Sequence, residues 1–226
     1  MSEQIRTMFA RISPGYDKAN AWLSLGLHHR WRRLAVRASG VRAGHRALDL
    51  ATGTGDLALA LVESVTVDGE VWASDFSLAM LRRARAKVMK AGVALQAADA
   101  QRLPYRDESF DVISIAFGIR NVDDPLATLR EMKRVLRPSG SIVVVEFGRP
   151  TGIAGALFDL YARVWMPFLG GLLTGDRAAY RYLVRSSAAF PCGDAFAGLM
   201  NSAGLQVTEV KRLHGGVVFI YTATRS

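Results

Sequence analysis

The sequence predicts an α/β fold, a parallel sheet with helices on both faces. Three observations predict it. Apolar strand-like runs alternate with helical segments from residue 46 to residue 147. The first run enters a turn with glycines at 53 and 55, and Asp75 ends the second run 20 residues after Gly55. Two further β-like runs, separated by His214-Gly-Gly216, close the chain. Alternation of this kind builds βαβ units. The late hairpin departs from a dinucleotide-binding sheet, which continues parallel.

Each element has its own signal. Residues 4–38 read as helices, because Trp31, Leu34, Ala35 and Ala38 recur at helical spacing and Leu23, Leu25 and Leu27 flank Gly26. The apolar strand runs are 46–51, 70–75, 93–98, 110–117 and 141–147, with helices near 56–64, 77–90 and 125–136 between them. Pro138-Ser-Gly140 is expected to end the last of these helices and turn into the fifth strand. Residues 152–190 are helical, aromatic and irregular, 193–203 form a helix, and 205–212 and 216–224 are the closing runs. One domain with four parts follows: a helical arm over 1–44, a ligand-binding core over 45–150, a helical lid over 151–192, and a C-terminal helix and hairpin over 193–226.

Composition narrows the class. Half of the 226 residues are hydrophobic, enough for a full core. The single Cys192 excludes an internal disulfide and reads as a small packed residue in a reducing compartment. Met-Ser-Glu-Gln-Ile-Arg places charge where a secretion signal needs an apolar core, so a cytoplasmic protein is expected. The net charge of +9 is uneven, with nine basic and two acidic residues over 1–46. Such an arm suits a polyanion, either nucleic acid or an anionic membrane face; its bland alternative is a solvated helix face. The apolar stretch Ile153 to Gly175 contains Asp159, Arg163, Pro167, Gly170 and Gly171. A spanning helix wants about 20 residues nearly free of charge, so this stretch is expected to graze a membrane rather than cross it.

The turn Ala51-Thr-Gly-Thr-Gly-Asp56 selects among adenosine ligands. A pyrophosphate turn needs a third glycine, and Asp56 would repel phosphate. S-adenosylmethionine (SAM) carries a sulfonium, an ammonium and a carboxylate but no phosphate. Donors at Gly53, Thr54 and Gly55 suit the carboxylate, Asp49 or Asp56 the ammonium, and Asp75 the ribose hydroxyls. Asp99-Ala100 ends the third strand run, where a carboxylate meets the adenine amino group or caps its own turn. For the Gly-x-Gly alone, an ordinary tight βα turn is the duller reading. Arg120 and Asn121 follow the fourth strand at the cleft. Arg120 either faces a substrate or makes a structural ion pair with Glu146 or Asp123.

Longer motifs carry a resemblance. Tyr16-Asp-x-x-Asn20, Leu23-Ser-x-Gly26 with Trp31, Phe117-Gly-Ile-Arg-Asn-Val122, Arg130-Glu-Met-x-Arg-Val-Leu-x-Pro138, Glu146-Phe, and Tyr180-x-Tyr-Leu-x-x-Ser186 with Phe190-Pro191 span nearly the whole chain. Together they resemble the UbiE/MenG quinone-biosynthesis C-methyltransferases. Thr52 stands where that family has a glycine, Ala116 where it often has serine, and Tyr221 where histidine is common.

The resemblance implies a class I SAM-dependent methyltransferase, with a Rossmann-like seven-stranded sheet whose last strand is antiparallel, an N-terminal helical arm and a helical lid. It implies Gly53, Thr54, Gly55, Asp75, Asp99, Ala100 and Ala116 as SAM contacts, and no metal. The implied reaction methylates a ring carbon of a polyprenyl hydroquinone, with demethylmenaquinol as first acceptor and a ubiquinone-pathway benzoquinol as alternative. Arg120 would stabilise the phenolate and Asn121 orient the ring oxygen. Tyr16 and Asp17 would carry the proton or close the site, ahead of His28 and His29. Implied partners are the quinol, an anionic membrane surface holding the chain peripherally, and other quinone-biosynthesis enzymes; no nucleic acid is implied. Rival readings are a methyltransferase acting on another lipid or on RNA, and a non-catalytic SAM-binding scaffold.

Overall fold

The computed structural model describes residues 3–66 and 68–225, apart from the side chains of Ile153 and Ala154. Three helices form the arm: α1 (Glu3–Ile12), α2 (Tyr16–Leu23) and α3 (Leu27–Ala38). The core alternates as β1 (Arg46–Leu50), α4 (Asp56–Val65), β2 (Glu70–Asp75), α5 (Leu78–Val88), β3 (Ala94–Ala97), β4 (Phe110–Ala116), α6 (Pro125–Val135) and β5 (Leu136–Phe147). The segment expected to form a lid comprises α7 (Gly152–Leu160), a π-helical turn (Tyr161–Trp165), α8 (Met166–Thr174) and α9 (Arg177–Ala189). Then come α10 (Asp194–Ser202), β6 (Leu205–Leu213) and β7 (Val218–Arg225).

The seven strands lie in the order β3-β2-β1-β4-β5-β7-β6. Neighbours from β3 to β5 pair in parallel, and β7 runs antiparallel to both β5 and β6. The short 214–216 connection permits nothing else, since parallel strands need a long crossover. β1 sits centrally, and Ala47, Leu48 and Leu50 are fully buried. That is why its sequence is almost continuously apolar rather than alternating.

One expectation needs correction. Pro138-Ser-Gly140 does not separate helix from strand, because β5 already pairs at Leu136 with Phe110. The register then shifts before Val112 meets Ser141. Proline lacks an N–H, so a sheet tolerates it at such a bulge.

Helices pack on both faces. Phe110, Ile113, Leu129, Met132 and Phe196 fill one side; Leu57, Leu61, Val71 and Val88 fill the other. Burying each such large side chain contributes about 1.5–3 kcal/mol. Arm and lid join above the sheet: Met8, Ile12 and Ala19 cluster with Ala179 and Tyr180. Arg11 Nη2 lies 2.8 Å from Asp176 Oδ2, and the Tyr161 hydroxyl donates to Leu23 O at 2.9 Å.

The helical run Gly155–Thr174 is long and apolar enough, by length and composition alone, to cross a membrane, and only 17% of its most apolar 18-residue stretch is buried. Pro167 accounts for its π turn. It cannot donate in the helical ladder and its ring crowds the preceding turn, so the chain widens just before it.

Candidate active site

The strand ends after β1, β4 and β5 converge on a cavity of about 990 Å³. Its wall takes Ala51, Gly53 and Thr54 from the glycine turn, Phe117 and Arg120 from the loop after β4, Tyr16 and His28 from the arm, and Tyr161 and Met166 from the lid. Four of the six non-glycine residues with positive φ among the described residues lie here: Leu25, Ala51, Phe117 and His214. Left-handed backbone strains such residues, and strain collects where the surroundings hold a functional geometry.

The turn is fixed by fit. Gly55 has φ +87°, and a Cβ there would lie 2.6 Å from Val88 Cγ1; Gly53 has φ +58° with only Tyr16 near, at 3.9 Å. Gly53 N–H donates to Asp75 Oδ2 at 2.9 Å and Ser77 N–H donates to Asp75 Oδ1 at 2.7 Å. The Asp75 carboxylate is thereby oriented, while burial pushes its pKa up.

Asp49 lines the cavity at 1% exposure. Thr52 Oγ1 donates to it at 2.6 Å and Ser114 Oγ at 2.7 Å. Thr52, the departure from the expected glycine, is thus a working part of the turn. Burial raises the Asp49 pKa to about 6, against the pull of the two hydroxyls and Arg32. Asp56 is differently placed. Lys87 Nζ lies 2.8 Å from Asp56 Oδ1 and 2.5 Å from Asp17 Oδ2, and Arg32 Nη2 lies 3.4 Å from Asp56 Oδ2. Thr54 Oγ1 also donates to Asp17 Oδ1 at 2.6 Å. Asp56 is therefore neutralised by protein cations, and of the two acids only Asp49 is left to face a ligand ammonium. Asp17 ties the arm to the glycine turn from outside the cavity wall.

The Arg120 side chain is buried, with Nη1 2.5 Å from Glu146 Oε1 and 2.8 Å from Phe117 O. Its guanidinium also lies over the Phe147 ring, 5.2 Å from the centroid. The ion pair with Glu146 foreseen as one alternative is present, and Arg120 also reaches the cavity. Asn121 does not line the cavity. It donates to Phe117 O at 3.3 Å and accepts from the Tyr182 hydroxyl at 3.3 Å, so it braces the loop against α9.

Asp99 and Ala100 lie off the cavity wall, as does Asp75. Asp99 Oδ1 accepts from Gln101 N–H at 3.0 Å, the turn-capping geometry. Above this side lie α1, whose Arg6 guanidinium sits over Phe76 at 5.7 Å, and the turn that follows it, where Ser13 Oγ accepts from Arg83 Nε at 3.3 Å. The arm thus covers the edge expected to take adenosine, and the cavity opens at Gly53 and Thr54 of the turn.

Sequence reasoning missed the aromatic wall. Trp31 meets Phe117 at 5.9 Å, Phe147 at 6.3 Å and His214 at 5.9 Å, and Phe117 meets Phe147 at 4.5 Å. It also counted Arg32 only as arm charge. One signal was available: His28, Trp31 and Arg32 stand at i, i+3 and i+4, so one face of α3 carries all three. His29, one residue on, is exposed.

The sheet order, the glycine turn and the acids around it define a class I SAM-dependent methyltransferase. The comparisons agree. Residues 1–225 match the model of the ubiE/COQ5 methyltransferase family. The chain is 46% identical over 226 residues to the ubiquinone/menaquinone biosynthesis C-methyltransferase UbiE of Bdellovibrio bacteriovorus, covering 98% of this chain and 96% of that protein. It is 38% identical to the protein of the same name from Cellvibrio japonicus, covering 97% and 90%. A SAM-dependent methyltransferase from Aquifex aeolicus shares the fold, with a TM-score of 0.60 at 22% identity over 86% of this chain and 89% of that one. The chain belongs to the ubiE/COQ5 methyltransferase family, and its methyl donor is SAM.

Proposed function

We propose that this enzyme methylates a ring carbon of a polyprenyl hydroquinone, converting demethylmenaquinol to menaquinol, at the surface of an anionic membrane. One observation carries the reading: an aromatic-walled cavity opens beside a large exposed apolar face. Trp22 and Leu25 lie at the cavity and are 65% and 84% exposed. Leu157, Leu160, Val164, Trp165, Phe168 and Leu172, along the lid, are also exposed. Soluble surfaces rarely leave so many large apolar side chains together without a partner. A quinol ring suits the wall, and its tail suits the face. The names of the relatives, which concern ubiquinone and menaquinone biosynthesis, support the acceptor class.

The bound methyl donor supplies an activated methyl group, so the protein's task is positioning and charge. Holding reactants in near-attack geometry can supply roughly 7–11 kcal/mol of the barrier. Asp49 balances positive charge at the methionine end. The ring stacks against Phe117, Phe147 and Trp31. Arg120 donates to the developing phenolate oxygen, with Glu146 offsetting part of its charge, so its contribution is a directed hydrogen bond more than a full charge. Tyr16 closes the site from the arm, and the basic residues of 1–46 attract anionic lipid at about 1 kcal/mol each near the surface.

Incubation with labelled SAM and either demethylated naphthoquinol or demethylated benzoquinol, read by mass, tests the acceptor. The naphthoquinol is expected to gain one methyl. Turnover of neither quinol would overturn the reading. Sedimentation with anionic vesicles at low and high salt tests the surface claim, with binding expected at low salt.

A further inference from the structure

The ring hydroxyl loses a proton as the ring carbon is methylated, and the groups on the cavity wall able to take it are Tyr16, His28, Asp49, Asp159 and His214, of which Asp159 and His214 are exposed to solvent. Asp49 is held by two hydroxyls and serves the ammonium. Glu146 pairs with Arg120 and is not part of the cavity wall. We propose that His28 is the proton acceptor, its Nε2 taking the hydroxyl proton of the bound quinol. This rests on the acceptor assigned above.

Three observations carry the assignment. First, His28 lines the cavity although it is only 5% exposed. Second, its tautomer is set by Ser24. Ser24 Oγ lies 2.6 Å from Asn20 O and 2.6 Å from His28 Nδ1. Two oxygens approach so closely only with a proton between them, so the single hydroxyl proton points at Asn20 O. Nδ1 must then carry its own proton and donate to Ser24 Oγ. Third, this leaves the Nε2 lone pair as the acceptor, and Nε2, on a residue that lines the cavity, has no hydrogen-bond partner among the described residues and is not fully buried. A base oriented through one nitrogen and open at the other is the arrangement general-base catalysis requires.

The charged neighbours keep the imidazole neutral. Burial, then the Arg32 guanidinium, then His29 lower the His28 pKa to about 4, opposed by Asp56 and Asp17. A base this weak cannot ionise a free phenol, whose pKa is about 10. It need not. The hydroxyl becomes strongly acidic as the ring carbon forms its bond to the methyl and the methyl–sulfur bond breaks. The proton then passes to Nε2 and a cyclohexadienone forms. Loss of the ring C–H proton to water, with return of the Nε2 proton to the carbonyl oxygen, restores the hydroquinol and releases one net proton per methyl transferred.

His28→Gln, assayed with a short-tailed demethylated naphthoquinol, is expected to lose about 10²-fold or more in kcat. Its affinity for S-adenosylhomocysteine by calorimetry should stay within roughly threefold of wild type, which separates chemistry from binding. Fluorinated acceptors with more acidic hydroxyls should recover the activity progressively, which a merely structural role would not produce. Ser24→Ala, which leaves His28 in place but frees its tautomer, should show a smaller loss with the same dependence on acceptor acidity. A His28→Gln enzyme within about tenfold of wild type, or a loss equal across the acceptor series in both variants, overturns the assignment. Wild-type enzyme inert toward every quinol would instead take down the acceptor reading, and this assignment with it.

Discussion

Arg120 Nη1 lies 2.5 Å from Glu146 Oε1, with the two side chains only 4% and 2% exposed. Such a pair holds the loop after β4 against β5, and breaking it from one side strands a buried charge. Glu146→Ala is expected to lose about 3–5 kcal/mol in chemical denaturation. The double variant Arg120→Met/Glu146→Leu removes both charges and should regain most of that stability. It should still lack turnover while binding SAM. An active double variant would remove Arg120 from the chemistry.

The two glycines of the turn differ in what surrounds them. Gly55→Ala forces a Cβ against Val88 at left-handed φ, whereas Gly53→Ala makes only an ordinary contact with Tyr16 at 3.9 Å. Both pay the left-handed cost of about 1–2 kcal/mol. Only Gly55→Ala adds overpacking of about 1–3 kcal/mol. Thermal denaturation should therefore rank Gly55→Ala clearly below Gly53→Ala.

Asp49 and His28 titrate in opposite senses. The Asp49 pKa is raised from 3.8 to about 6, so its contribution to stability is present in acid and is lost as pH rises through 6. The His28 pKa is lowered from 6.5 to about 4, so its contribution is present above 6.5 and is lost as pH falls through 4. His28→Gln should accordingly flatten the loss of stability between pH 6.5 and 4, seen in denaturant melts. SAM binding should strengthen as pH rises through 6, because its ammonium favours ionised Asp49, and calorimetry near pH 6 should show proton release. Asp49→Asn should abolish that Asp49-linked release.

Trp165 and Phe168 are 53% and 50% exposed, so the fold does not depend on them. Replacing each by Ser should weaken sedimentation with anionic vesicles roughly tenfold, from about 1.5 kcal/mol of apolar burial per side chain. Turnover of a short-tailed quinol in solution should persist. Unchanged vesicle binding would place the membrane face elsewhere.

Much of this protein was legible in the chain itself. Runs of buried β1 and β4, the left-handed glycines and the helical spacing of the arm are local signals, since backbone sterics and the 3.6-residue period act over a few residues. They gave the sheet, the turn and the SAM class. The Pro138-Ser-Gly140 bulge was missed because a proline–glycine pair looks like a turn until a partner strand is present. What only the tertiary structure decided is which charges face the cavity. Lys87 neutralises Asp56, Glu146 pairs with Arg120, and Ser24 holds His28 through Nδ1, while Asn121 and Asp17 become braces. These outcomes depend on partners tens of residues away, or on one hydroxyl proton, and electrostatics at such contacts is fixed by distance and burial that no spacing in the sequence encodes.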